Sequence, residues 1–366
     1  MVKTVIGTSQ KADALQAVQE ATSRFGKPIL LIFTVEFKYF EDTVKYLNER
    51  FPGVPSIGTS GETFANGVDH NKHLVITSFE GGVEAVTGVV EDISRAPLKS
   101  VRTLQENVRK IGAGTDNTVM IEFTTGYEEQ VITTIQSVLE GTRIGLIGGT
   151  TFNFEDSAES EVAVDGKIYK DACAYVLIKN TAGTIRTYRE NIYEKGDHST
   201  HIATKVNREK RELIELDGRP AADVYCASTK VSRAQVTATT FDHPFGRCVA
   251  DEIFITSIRS CENNGTLGLF KQVNENDAVT IMNISDDVIA TNGGTREKIK
   301  SEVGHASYMF SVDCAFRYLL MTDRKLFADY IGGMKQVADN HMGYVAGGEQ
   351  FRNQHTNQAM VCAVFE

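Results

Sequence analysis

One pattern occurs three times along the chain and constrains its fold more than any single motif. An apolar run ending in Phe-[Ser/Thr] leads into a helical stretch, which returns to a second run ending in [Ser/Gly]-Gly-[Glu/Thr]-x-Phe. The copies run from Leu31 to Phe64, from Ile121 to Phe152 and from Tyr308 to Phe351. A repeating strand-helix-strand order is best accommodated by strand pairs with helices packed over them. PILLIFTV, with no polar alternation, reads as a strand buried on both faces. Phe40, Val44, Leu47 and Phe51 give the next helix an apolar stripe, and Phe327, Ile331, Met334 and Ala338 predict one long helix in the third copy. The expected fold is α/β: mixed β-sheets flanked by helices, built from recurring strand-helix-strand units in two related halves.

Ser9 is the expected cap of the first helix, and hairpins are expected at Glu80-Gly81-Gly82 and around VAVDGKIY and ACAYVLIKN. Between Glu194 and Asn207 the chain is polar and loses its apolar period, so domains are expected at 1–195 and 196–366. Hydrophobic residues at 41% and charged residues at 23% are ordinary globular usage, and no charge-free apolar run is long enough for a bilayer span. The net charge of -10, with no basic run interleaved with aromatics, argues against nucleic acid as a partner. Cys173, Cys226, Cys248, Cys261, Cys314 and Cys362 lie far apart with no CxxC, which predicts reduced thiols rather than a zinc ribbon or disulfide framework. MVKTVIGTSQKADALQ has no apolar signal-peptide core, so the expected location is the cytoplasm.

The repeat also decides how GTSGETF (58–64) is read. Glu62 stands where a nucleophile elbow needs its last glycine, and strand-like sequence rather than a helix follows Ser60. No copy has the Gly-Lys-[Ser/Thr] of a phosphate loop or the GxGxxG of a dinucleotide site. Glycine in a strand signals a bulge or a close approach by backbone or ligand, so the repeated strand ends are expected to rim a pocket. Two Asp-His-x-x-His runs, 69–73 and 197–201, offer paired histidines, but a closed zinc site needs four ligands; solvated turn histidines are the alternative. His243, held extended by Pro244, reads as an axial haem ligand or as a core histidine, with His305 and His355 as further haem candidates. Cys314 reads as a buried thiol or, with Arg317 as its cation, as a nucleophile.

Several separated motifs resemble one family in order and along nearly the whole chain. PSIGTSGE and RIGLIGGTTF resemble the FIST N region, and ELDGRPAADVY, DHPFGRC, FITSIRS, FSVDCAFR and GGEQF-x3-HTNQA resemble FIST C. The resemblance implies a sensory module that binds a small ligand such as an amino acid. It also implies signalling to a histidine kinase, a cyclic-nucleotide-signalling domain or a chemotaxis transducer, either as a separate partner or within a longer protein. Some members bind haem and sense nitric oxide, which would give His243 the cofactor. Carried over position by position, the ligand contacts are Ser60, Gly61, Glu62, Gly149, Thr150, Arg259, Asp313, Arg317 and Glu349. Arg259 and Arg317 would grip a carboxylate in bidentate fashion. The second copy departs from the pattern, with Thr150-Thr151 in place of a glutamate-bearing pair, and no catalytic residue is implied. A protein-interaction scaffold without a small ligand is the remaining reading.

Overall fold

The alternation of apolar runs and amphipathic stretches folds as an α/β protein with mixed sheets in the computed structural model, which describes residues 1–71, 73–153, 160–197 and 199–366. It divides into two compact units: Met1–Arg189 with Gly293–Asn353 and Met360–Glu366, and Glu190–Asn292 with Gln354–Ala359. All three copies of the repeat lie in the first unit.

The first copy belongs to a module of β1 (Lys3–Ser9), α1 (Ala14–Ala21), β2 (Leu30–Val35), α2 (Phe40–Arg50), β3 (Ser56–Ser60), β4 (Thr63–Ala65), β5 (Val68–Asn71) and β6 (Leu74–Gly81). The second repeats that order as β7 (Val83–Glu91), α3 (Val101–Ile111), β8 (Thr118–Thr124), α4 (Glu128–Leu139), β9 (Gly145–Thr150), β10 (Val162–Val164), β11 (Lys167–Tyr169) and β12 (Ala172–Asn180). The third opens with β13 (Ile185–Asn191) and is then interrupted by the other unit. That unit contributes β14 (Tyr193–Glu194), β15 (Thr200–Asn207), β16 (Glu212–Leu216), β17 (Arg219–Pro220), α5 (Ala221–Thr229) and α6 (Val236–Thr239). It continues with β18 (Phe245–Val249), β19 (Glu252–Thr256), β20 (Ile258–Cys261), β21 (Leu267–Leu269), β22 (Ala278–Ile281) and β23 (Asn283–Ile284). The third module resumes through α7 (Val288–Glu302), β24 (Tyr308–Cys314), α8 (Ala315–Asp323), α9 (Phe327–Met334), β25 (Asn340–Ala346) and β26 (Glu349–Phe351) and ends on β28 (Ala359–Phe365), with β27 (Gln354–Thr356) between them counted in the second unit.

Three equivalent sheets result, in the orders β1-β6-β2-β3-β10-β11, β7-β12-β8-β9-β26 and β13-β28-β24-β25-β4-β5. The pairs β2/β3, β8/β9 and β24/β25 are parallel. Each sheet is completed by a strand from another module: β10 pairs with β3, β26 with β9, and β4 with β25. The inner faces share one core, which holds Ile32, Ile121 and Phe310 from the three central strands. On the outer faces α1 and α2 cover Leu31 and Phe33, while α3 and α4 cover Met120 and Leu146. The second unit is built on the strand path β19-β18-β22-β15-β16-β21-β20, which begins and ends on consecutive strands with Ser257 alone between them, around a core including Tyr225, Phe245 and Ile281.

Several local expectations change. β6 pairs with β1 and β2 whereas β7 pairs with β12, so Glu80-Gly81-Gly82 is a corner between two sheets and not a hairpin. Gly82 takes φ 78°, and a Cβ there would come 2.6 Å from the Met1 carbonyl oxygen. The hairpin at VAVDGKIY forms, turning on Asp165-Gly166, but ACAYVLIKN is β12, paired with β7 and β8. Asp13 caps α1 by accepting from the Gln16 amide (2.8 Å), while Ser9 ends β1 with its hydroxyl on Glu20. The long third helix is two, α8 and α9. The polar stretch ending at Asn207 includes β15, whose only buried residue is Ala203, so its apolar signal is one residue deep.

The exchanged strands make the modules interdependent. Phe64 on β4 of the first module stands opposite Gly343 on β25 of the third, and a Cβ on Gly343 would overlap the Phe64 ring. Gly343→Ala is expected to cost about 1–3 kcal/mol by overpacking and Phe64→Ala about 3–5 kcal/mol by cavity formation. The double variant, measured by urea unfolding, should cost less than their sum by at least roughly 1 kcal/mol, because the new methyl enters the vacated space. Strict additivity would contradict the exchange.

Candidate functional site

Ligands of open α/β sheets gather outside the carboxyl ends of parallel strands, where helix N-termini also point. In the second module that edge is occupied by acids. Glu122, inside the otherwise apolar β8, projects to the outer face and lies over Gly148, where any side chain would overlap its carboxyl group. Its Oε2 is 3.1 Å from Cys173 Sγ, while Oε1 has no hydrogen-bond partner among the described residues. Burial pushes the Glu122 pKa up to about 8; the Cys173 bond opposes that rise and the nearby Glu128 charge adds to it. Burial, with the adjoining Glu122, also holds the Cys173 thiol well above its usual range.

At the start of α4, Glu128 and Glu129 occupy the first turn, where the helix dipole favours negative charge. Glu128 is buried and accepts from Thr150 Oγ1 at 2.8 Å. Gln350, opposite Gly148 on β26, donates from Nε2 to the same Thr150 hydroxyl at 3.3 Å, and its Oε1 has no partner among the described residues. Glu349 stands opposite Gly149 and is fully buried.

The third module carries polar groups on the same outer face. Ser311 Oγ is 2.9 Å from His341 Nε2, and Tyr330 donates to Asp313 Oδ1 at 2.7 Å. Arg317, fully buried, brings Nε to 3.2 Å from Asp313 Oδ1 and its guanidinium carbon to 4.8 Å from the Tyr330 ring centroid. Burial lowers the His341 pKa to about 3, and its Nδ1 has no partner among the described residues. Phe64 closes the cluster, 5.4 Å from Phe327 and 5.5 Å from His341, centroid to centroid. In the first module the matching outward position is Phe33, fitted over Gly58, so that edge is apolar.

Of the expected ligand contacts, the structure brings Thr150 and Glu349 to the second module's strand edge and Asp313 and Arg317 to the third's. Ser60 is fully buried and accepts from Asn153 Nδ2 at 3.2 Å; Glu62 is buried, its carbonyl accepting from the Val345 amide at 3.0 Å. Gly61, at φ 151°, lets Tyr344 pass: a Cβ would lie 2.9 Å from Tyr344 Cε2. Gly149 likewise admits Ala346 and Val312, whose carbons would lie 2.5 and 2.6 Å from a Cβ. Arg259 and His243 belong to the other unit. Arg259 is exposed on β20, 3.4 Å from the Lys210 carbonyl oxygen. His243 is part-buried, with Nδ1 2.9 Å from Asn283 Oδ1 and 3.3 Å from the Met282 carbonyl oxygen. Cys314 is fully buried, so neither it nor Ser60 is open to a substrate. His70, His73 and His201 join no cluster of three ligating groups among the described residues, and His198 lies outside the described residues.

Sequence reasoning missed Glu122, Glu128, Ser311, Tyr330, His341 and Gln350. Glu122 alone had left a signal, as a lone acid in the strand TVMIEFTT. The FIST N domain matches residues 29–219 and the FIST C domain residues 221–352. The chain belongs to the FIST family. FIST domains are sensory and signal-transduction domains. No curated protein matches the chain.

The buried groups of this FIST protein give it opposed pH responses. Glu122 is held with a folded pKa of about 8 against 4.5 as its ordinary value, so the stability of the neutral acid is present below pH 4.5 and lost as pH rises through 8. His341 runs the other way: with a folded pKa of about 3 against 6.5, its contribution is present above pH 6.5 and lost as pH falls towards 3. Glu122→Gln should therefore remove a stability loss on the order of 2–4 kcal/mol between mildly acidic and mildly alkaline pH, read by urea unfolding at several pH values. An unchanged pH profile would contradict the buried neutral acid.

Proposed function

We propose that this FIST protein is a cytoplasmic ligand sensor that binds a small metabolite at the carboxyl edges of its parallel strand pairs and signals to a separate or fused partner. The observation that carries the reading is the pair of buried polar atoms without partners towards that edge of the second module: Glu122 Oε1 and Gln350 Oε1 among the described residues. Each such atom costs about 1–3 kcal/mol of stability, a cost that a ligand's hydrogen bonds would offset. Acids at Glu62, Glu128 and Glu349 suit an ammonium group, and Arg317 suits a carboxylate, which together favour an amino acid or similar metabolite. Thr150 and Asp313 complete the proposed contacts, with Ser60, Gly61, Gly149 and Arg259 assigned from the motif alone. A histidine kinase, a cyclic-nucleotide-signalling domain or a chemotaxis transducer is the proposed partner.

A thermal-shift screen of the amino acids and small amines should find a ligand that raises the melting temperature, since saturation at about 100 times Kd adds roughly 2.7 kcal/mol. Thr150→Val should weaken that ligand at least about tenfold, because it removes the hydroxyl shared by Glu128 and Gln350. A screen without any hit, or a hit indifferent to Thr150→Val, would count against the site.

One observation favours haem as a second reading. Both acceptors at His243 Nδ1, the Met282 carbonyl and Asn283 Oδ1, require a proton on that nitrogen. That is the tautomer an axial ligand needs, and the bond to Asn283 is the kind of outer contact that orients such a ligand. Bound haem would supply an iron that takes a diatomic gas, with His243 Nε2 holding it. Haem titration should then produce a Soret band that His243→Ala abolishes; a protein that takes up no haem, or keeps the band in the variant, would rule this reading out.

A further inference from the structure

At the amino-terminal edge of β8 and β9, away from the strand ends considered above, lies a recess of about 430 Å³. It is walled by the turn after α4, by β13 and by α7, so regular elements fix most of its lining. Arg143, Arg186, Lys298 and Arg352 line it, against the carboxylates of Asp116 and Glu302. Four cations face two acids, an excess of two positive charges in a chain whose net charge is -10. Tyr188 also lines it, 6% exposed, with its hydroxyl beside the Glu302 carboxylate. Burial, and then the hydrogen bond to Glu302, raise its pKa and keep the proton on that hydroxyl. Gly145 holds the wall close: a Cβ there would come 2.8 Å from Thr187 Cγ2 on β13.

From this lining we infer a second binding site, for a small phosphate-bearing ligand. Guanidinium groups present paired N–H donors that match phosphate oxygens, and three of them enter the recess from different segments. The volume falls in the range of small-molecule pockets rather than of a flat protein interface. An excess of two positive charges matches a phosphate dianion and leaves Asp116 and Glu302 to hold the cations in place. None of these residues belongs to the strand-end cluster, so the inference stands apart from the sensor reading.

The test is isothermal titration of the full chain with pyrophosphate and with inorganic phosphate at constant ionic strength. Pyrophosphate should bind, and Arg143→Gln combined with Arg186→Gln should weaken it at least roughly tenfold without lowering the ligand-free melting temperature, since both side chains are exposed. Thr150→Val should leave this binding unchanged, which separates failure here from failure at the strand ends. No binding up to millimolar pyrophosphate, an affinity untouched by the double variant, or a response that sodium chloride reproduces would each overturn the site.

Discussion

The pairing of β4 with β25, of β10 with β3 and of β26 with β9 is the constraint on which the first unit depends. Each module lends a strand to another, and the lending runs in a closed cycle. An unclaimed strand edge exposes unpaired amides and carbonyls, so each sheet is finished only when a second module has folded beside it. The inner faces then bury Ile32, Ile121 and Phe310 in one core rather than three. That arrangement also explains how the second unit can interrupt the third module between β13 and α7: β13 is held by β28, far along the chain.

A cooperative scaffold can carry local polar cost. At equivalent outward positions the first module has Phe33, the second Glu122 and the third Ser311, over glycines 58, 148 and 343. The glycines create the space, and the residue opposite decides how it is used. Packing fills it in the first module; in the second a carboxyl group enters, and in the third Phe64 crosses over from β4. Buried ionisable groups cost stability unless paired, and they concentrate where function needs them. Glu128 with Thr150, and Asp313 with Arg317 and Tyr330, are such groups at the strand ends.

The repeat made the strand-helix-strand units legible, because continuous apolar runs and helical stripes depend on local spacing. Register was less legible. Phe33 and Phe123 align in the sequence pattern, yet Phe33 faces the helices and Phe123 the central core, since one residue of slip reverses a strand's faces. The same slip places Phe64 outward and Phe351 inward on β4 and β26. Strand exchange leaves no local trace at all, and Glu80-Gly81-Gly82 reads as a hairpin because a corner between two modules uses the same glycine-rich turn as a pairing of neighbouring strands. For the site, Thr150, Glu349, Asp313 and Arg317 came from motif positions. Glu128, Gln350 and Tyr330 escaped because their roles arise from long-range pairing and from helix placement. Gly61 and Gly149 are expected at a pocket rim, and in the structure their bare backbone admits Tyr344 and Val312.

Native-state hydrogen exchange across increasing denaturant tests the closed cycle most directly, because it reports the free energy at which each segment opens. If the borrowed strands complete each sheet, amides of β4, β10 and β26 should open only in the same global event that exposes β2, β8 and β24. Borrowed strands that open in separate, lower-energy steps while the three central strands stay protected would contradict the account.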